Sequence, residues 1–482
     1  MARKQAEVGY VSPGISPPKG PDYIVMELRH DSRVAYSPTA FAGPTEVRKD
    51  TDALNKVLSA FRVKRVASHF GMKATQIRRR VTAAPPSHDR PVSGEFAHAG
   101  FVQIIPRRKE DLAALTRELN RLDSVWKAEV APRPVPAPAP TGSSTVSRNF
   151  EPAQGYLHSP PNGIGAMEVW KQARQSGTGR GITICDIEGN WNRLHEDLPK
   201  RIPLIGGTLI NDLGWKNHGT AVLGEMVSRP GPSGTVGISQ GARAVVQSAV
   251  INGVFNTAGA IANATSKLGK GDVILIELQA TGPNGKYVAM QYWDDVFSAI
   301  RVAVDKGITV VEAAGNGDED FDLPIFNNTG LQKDSGAIVV GAGIPPTNFF
   351  DYFGSEWGFD RYGKIGVPRS RIWFSNYGKI VSVQAWGWHV TTTGYGDAQG
   401  GVSQNRWYTL RFSGTSSASP IVTGSVACIQ GLAKAKHGQP LPPKKVRSLL
   451  ISTGTPQEAG PGVPLSQHIG PQPNLPEVFR LV

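Results

Sequence analysis

The sequence predicts an α/β protein: a parallel sheet covered by helices on both faces, preceded by a smaller α+β unit. Three observations carry this. Short apolar runs alternate with helix-like stretches through the last two-thirds of the chain. Those runs are continuously apolar rather than alternating, the pattern of strands buried on both faces. A proline-rich segment, Pro132 to Gly142, separates about 130 residues from about 330 and reads as a semi-rigid extended linker.

Before the linker, Tyr23-Ile24-Val25-Met26-Glu27-Leu28 reads as a strand. Leu54, Val57, Leu58 and Phe61 at helical spacing follow it. Phe101–Ile105 is a second strand, ended by Pro106. Leu112, Leu115, Leu119 and Leu122 share one face of a helix, and Ser124 to Val130 returns as a strand. This order predicts a small α+β sandwich of ferredoxin-like type. The expected division is a disordered 1–20, a first domain 21–131, a linker 132–154 and a second domain 155–482. Residues 82–95 are also expected to be disordered.

Beyond the linker the expected strands are 181–186, 244–250, 272–277, 308–313 and 337–341, with helix-like stretches such as 256–268 and 294–306 between them. In such a sheet, ligands bind beyond the carboxyl ends of the strands.

With 482 residues, 39% apolar and 19% charged, the chain can build a large core and is not wholly disordered. No apolar run reaches the length needed to span a bilayer. The N-terminus lacks the apolar stretch of a secretory signal, which leaves the compartment open between the cytoplasm and a non-classical export route. Cys185 and Cys428 are too few and too far apart for a disulfide framework or a Cys-built zinc site. The net charge of +13 is concentrated early, residues 1–131 carrying 22 Lys and Arg against 14 Asp and Glu. Without interleaved aromatics or a known module, this reads as a solvated basic surface and not as a nucleic-acid site.

Three segments fall where the architecture puts a site. Asp186 ends the first strand of the second domain, His218 opens an apolar helix in Asn217-His218-Gly219-Thr220, and Ser416 leads into another in Gly414-Thr415-Ser416-Ser417-Ala418-Ser419-Pro420. Taken singly, each has a plain structural reading as a cap or a turn. Taken together, they supply a nucleophile, a base to accept its proton and an acid to fix the imidazole tautomer. A helix N-terminus at Ser416 also directs amide N–H groups at a reacting oxygen.

In that order, with the words Asn217-His218-Gly219-Thr220, Gly414-Thr415-Ser416-x-Ala418-x-Pro420 and Ala313-Ala314-Gly315-Asn316-Gly317, the chain resembles the subtilisin-like serine peptidases, the subtilases, over about residues 155–480. The resemblance implies a three-layer subtilisin-like domain and a serine endopeptidase acting through an acyl-enzyme. It assigns Asp186, His218 and Ser416 to a triad and Asn316 to the oxyanion. It gives the N-terminal unit the character of a propeptide that inhibits its own enzyme until self-processing. The implied partner is a protein or peptide substrate, and no cofactor is needed. Structural calcium is not evident, because no full carboxylate ligand set is seen. His195, in His195-Glu196-Asp197-Leu198, resembles a family segment that is not catalytic, and His389 has no motif around it, so neither is expected to be the base.

The strand Ile276-Glu277-Leu278-Gln279 stands where the family lines its substrate cleft, which assigns Glu277, Leu278, Gln279 and Gly315 to substrate binding. Glu277 and Gln279 depart from the family pattern. The acidic run Asp318-Glu319-Asp320-Phe321-Asp322 is open to three readings: a solvated loop, a wall of a cation-selective pocket, or a calcium site. Combined with Glu277, the second predicts Arg or Lys before the scissile bond. Residues 345–375 and 395–408 lengthen the interval before Ser416 and are expected as a substrate rim or docking surface. A binding pseudopeptidase and a lipase-type hydrolase are the rival readings, and the latter lacks a Gly-x-Ser-x-Gly elbow.

Overall fold

The computed structural model describes residues 22–29, 34–72, 98–132, 147–346 and 366–482. The segments expected to be disordered, 1–20 and 82–95, lie outside these residues, as does most of 345–375.

The N-terminal unit contains β1 (Ile24–Leu28), α1 (Arg48–Ala60), β2 (Arg65–Ser68), β3 (Phe101–Ile105), α2 (Leu112–Leu119) and β4 (Val125–Val130). The strands form one antiparallel sheet in the order β2-β3-β1-β4. Strand β2 was not legible in the sequence, since only Val66 of its four residues is buried. Leu54, Leu58, Leu115 and Leu119 cover one face of the sheet through Ile24, Met26, Val102 and Ile104. The other face carries Tyr23, Val25, Phe101 and Ile105 and packs on Val254 of the larger unit.

The larger unit is built on a seven-stranded sheet. Its strands are β5 (Thr183–Glu188), β6 (Leu204–Gly206), β7 (Arg243–Ser248), β8 (Val273–Ile276), β9 (Thr309–Ala313), β10 (Ile338–Gly343) and β11 (Val381–Trp386). Their order is β11-β10-β9-β8-β5-β7-β6, and every pairing is parallel. Helices α3 (Leu213–Val227) and α6 (Thr415–His437) pack on one face, and α4 (Thr257–Lys267) and α5 (Asp294–Asp305) on the other.

Side-chain alternation along the strands separates the two cores. Ile184, Val273 and Leu275 face α3 and α6, whereas Cys185, Ile187, Ile274 and Ile276 face α4 and α5. Both cysteines are fully buried. Residues 149–154 fall within the expected linker, yet Phe150 and Ala153 pack against Tyr408 and Leu410 of the larger unit.

The two units meet at the starts of α4 and α5. Asn256 caps α4 and donates through Nδ2 to the His69 carbonyl. Asp295 receives His69 Nε2, Asp294 receives Lys127 Nζ at 3.0 Å, and the Tyr23 hydroxyl donates to the Phe255 carbonyl.

Candidate active site

Alternation along β5 puts Ile184, Asp186 and Glu188 on the face toward α3. Glu188 is the last of these and lies nearest the carboxyl edge. Its Oε2 accepts from His218 Nδ1, and both side chains are buried. Asp186 sits two residues deeper, where its Oδ2 accepts from Trp191 Nε1 at 2.7 Å. The expected pairing of Asp186 with His218 is therefore corrected: the imidazole's carboxyl partner is Glu188. The reason is one step of strand length, since His218 stands over the end of β5 and Asp186 does not reach it.

His218 lies in the second turn of α3, whose start is fixed by Asp212 Oδ1 accepting from Trp215 N at 3.0 Å. Gly219 lets this helix approach the chain leaving β5, because a Cβ there would overlap the Asn190 carbonyl. The His218 ring stands edge-on to Phe412 with centroids 5.4 Å apart. His195 is engaged elsewhere, its Nε2 lying 2.8 Å from the Trp407 carbonyl, and burial holds it down to about 4.

Strand β8 lies beside β5, with Ile276 paired to Ile187. The next residues, Glu277 and Glu188, therefore stand side by side. Glu277 continues the face of Val273 and Leu275 and points toward α6, 2% exposed, with Oε2 2.6 Å from Ser419 Oγ. Adjacent strands thus present one carboxyl to His218 and the next to the turn that carries Ser416. Ser416 itself is 8% exposed at the start of α6.

Asn316 follows β9 and is held on both sides. Its amide N donates to Gln279 Oε1 at 2.8 Å, and its Oδ1 accepts from Thr415 N at 2.9 Å and Thr415 Oγ1 at 3.1 Å. Thr415 Oγ1 in turn accepts from Gly315 N at 3.1 Å. With Oδ1 so committed, Nδ2 is turned toward Gly414. A Cβ placed on Gly414, whose φ is +110°, would lie 3.1 Å from Asn316 Nδ2 and 3.4 Å from the Ser416 amide N. Asn316 Nδ2 and the Ser416 amide N therefore lie on one side of Gly414, with Asn316 Oδ1 3.5 Å from the same point, and two donors so placed can serve a developing oxyanion.

The residues expected to bind substrate divide differently. Glu277 and Leu278 are both 2% exposed, Glu277 under α6 and Leu278 in the core beneath α4 and α5. Neither side chain lines an open wall. Gln279 and Gly315 instead position Asn316 and Thr415. The acidic run is likewise engaged. Asp318 pairs with Arg371 at 2.8 Å, Glu319 accepts from Asn284 Nδ2 at 2.7 Å with Lys286 Nζ at 3.7 Å, and Asp322 receives the Lys379 amide. Residues 395–408 pack over the loop after β5 and the start of α3, with Glu196 N donating to Asn405 O at 2.8 Å and Lys216 Nζ to Gln404 Oε1 at 2.8 Å.

Beneath the site lies a group of buried carboxyls: Asp186, Glu188, Glu225 of α3 and Glu277. Burial is the largest influence on each and raises all four above the usual carboxylate range. Glu188 raises Asp186 further, and Glu277 does the same to Glu225. His218 opposes the rise at Glu188, and the hydroxyls of Ser419 and Ser416 oppose it at Glu277. Among the described residues, no Lys or Arg forms an ion pair with any of the four.

The sequence profile of the subtilase family matches residues 179–470. An intracellular serine protease of Paenibacillus polymyxa is 24% identical over 61% of this chain and 78% of its own length. The subtilisin-like proteinase Spm1 of Pyricularia oryzae is 27% identical over 72% of this chain, which spans 59% of that protein. Among solved structures, fervidolysin of Fervidobacterium pennivorans superimposes with a TM-score of 0.53 at 17% identity, covering 97% of this chain and 62% of that one, a likeness of fold.

Proposed function

Since this chain belongs to the subtilase family of serine peptidases, we propose that it hydrolyses peptide bonds as an endopeptidase, with Ser416 as nucleophile, His218 as general base and Glu188 as the carboxylate that orients the imidazole. Ser416 attacks the scissile carbonyl while His218 takes its proton. Glu188 on Nδ1 fixes the tautomer that leaves Nε2 free to accept and stabilises the imidazolium that forms. The oxyanion enters the space between Asn316 Nδ2 and the Ser416 amide, where donors fixed in advance need no reorganisation. His218 then protonates the leaving amine, and water resolves the acyl-enzyme by the same route.

The observation that carries this reading is the shared space beside Gly414, bordered by Asn316 Nδ2 and Ser416 N. A purely structural N-cap has no need of a second donor, the Asn316 side-chain amide, held beside the amide N of a serine.

The N-terminal unit is read as an intramolecular inhibitor. In support, Tyr23, Val25, Phe101 and Ile105 of its sheet cluster with Val254 of the larger unit, and a buried His69–Asp295 pair joins the two. Self-processing then falls between the two packed segments, after Ala131 and before Arg148, whose amide is held by Gln399 Oε1 at 3.0 Å.

The test is purification of the chain and of Ser416→Ala, followed by N-terminal sequencing and labelling with a serine-directed fluorophosphonate. The wild type is expected to be cut within 132–147 and labelled on Ser416, and the variant to stay whole and unlabelled. Labelling at another serine, or turnover by Ser416→Ala within tenfold of wild type, overturns the assignment.

A further inference from the structure

Glu277 has no place in the mechanism above, yet its carboxyl is fully buried one strand from Glu188. Its surroundings bear on its protonation through a count of hydrogens. Ser419 Oγ lies 2.6 Å from Glu277 Oε2 and 2.8 Å from the Thr415 carbonyl. A hydroxyl has one hydrogen to give, and a carbonyl oxygen has none. Each contact has a hydrogen of its own when Ser419 donates to Thr415 O and the carboxylic acid of Glu277 donates to Ser419 Oγ; otherwise one hydroxyl hydrogen is shared between two acceptors.

We propose that Glu277 is a positioning residue for the nucleophile: an uncharged carboxylic acid that donates to Ser419 Oγ and so fixes the first turn of α6, on which Ser416 and the partner of Asn316 are carried. This rests on the peptidase reading of Ser416. The chain of bonds is continuous. Glu277 holds Ser419, Ser419 holds the Thr415 carbonyl, and Thr415 N and Oγ1 hold Asn316 Oδ1, which aims Nδ2 at the oxyanion space. Ser416 is the residue between the two ends of that clamp.

Every titratable group facing Glu277 favours the neutral form. Asp186 and Glu188 approach from β5 and Glu225 from α3, all carboxyls, while α6 offers only the hydroxyls of Ser416 and Ser419. His218 is committed to Glu188 through Nδ1. Ionisation of Glu277 draws the Ser419 proton away from Thr415 O and sets a negative charge beside the developing oxyanion. Both effects slow attack, so the proposal gives the reaction an alkaline limb that belongs to Glu277.

The second-order rate of fluorophosphonate labelling of Ser416 is measured from pH 6 to 11 for the wild type, Glu277→Gln, Glu277→Leu and Ser419→Ala, with thermal melting of each. Gln keeps a neutral donor, so its plateau rate is expected within about threefold of wild type and its alkaline limb is lost. Leu removes the donor and is expected to slow labelling about tenfold or more at every pH. If Glu277→Leu does not fold, Ser419→Ala breaks the same bond and is expected to slow labelling about three- to tenfold. Glu277→Gln as slow as Glu277→Leu, an alkaline limb unchanged in Glu277→Gln, or Leu or Ala variants at wild-type rate each overturn the proposal alone. No label on wild-type Ser416 overturns the peptidase reading as well.

Discussion

Glu188 Oε2 meets Nδ1 of His218, while Asp186, on the same face of β5, accepts through Oδ2 from the indole N–H of Trp191. The two carboxyls therefore have separable consequences. Glu188→Gln presents an amide in place of the carboxylate, loses the charge that steadies the imidazolium and permits the wrong tautomer. It is expected to lower kcat about 10³- to 10⁴-fold. Asp186→Asn keeps an oxygen for Trp191 and relieves the repulsion from Glu188, so kcat is expected within about tenfold of wild type. Steady-state kinetics of the two variants decides the matter, and the reverse ranking would return the acid's role to Asp186.

The oxyanion space gives a second pair of variants. Asn316→Ala removes one donor and is expected to cost about 10²–10³ in kcat with a smaller change in KM. Gly414→Ala attacks the same space from the other side. Its methyl would stand 3.1 Å from Asn316 Nδ2, at a backbone φ of +110° that side chains rarely adopt. It is expected to lower kcat at least as far and also to lower the melting temperature. Unchanged kcat in Gly414→Ala would mean that the oxyanion lies elsewhere.

Much of this site is legible in the sequence because short words with unusual chemistry mark it. Gly414-Thr415-Ser416 and Gly315-Asn316 name their own roles, and the continuous apolar strands place them at one edge of a sheet. Glu188 was missed although its signal was present. Asp186 and Glu188 are two apart on one strand and so share a face, and the one nearer the carboxyl end is nearer the site. Glu277 was misread for the opposite reason. Its place in the cleft-lining strand drew attention, but parity with Val273 and Leu275 turns it inward beneath α6. What remained illegible were hydrogen bonds between distant segments, such as Gln279 to Asn316.

That inward turn removes the basis for a charged substrate pocket. Glu277 is covered, and Asp318 is neutralised by Arg371. A peptide-library profile is therefore expected to place no special weight on Arg or Lys before the scissile bond. Glu277→Gln should leave the ranking of side chains unaltered. Selective loss of Arg and Lys cleavage in that variant would restore the pocket.

The contact between the two units should weaken as pH rises, for a reason seated in Glu129 of β4. Burial is the largest influence on this carboxyl and pushes it up to about 7 from an ordinary 4.5. Lys127 opposes the rise, and Asp295 and Asp294 of the larger unit add to it. A raised carboxyl means that the docked state favours the protonated form. Its contribution to docking is full below about pH 4.5, falls as pH climbs, and is gone above about pH 7. The Lys127–Asp294 pair and the buried His69–Asp295 pair face the same interface, so Glu129→Gln isolates the one group. In the Ser416→Ala background, which prevents self-cleavage, calorimetry between pH 5 and 8 should show melting of the N-terminal unit moving to lower temperature as pH rises. Glu129→Gln should flatten that dependence and raise the transition most at pH 8. Equal slopes in the two proteins would place the pH response in other groups, and a transition that rises with pH would reverse the sign assigned to Glu129.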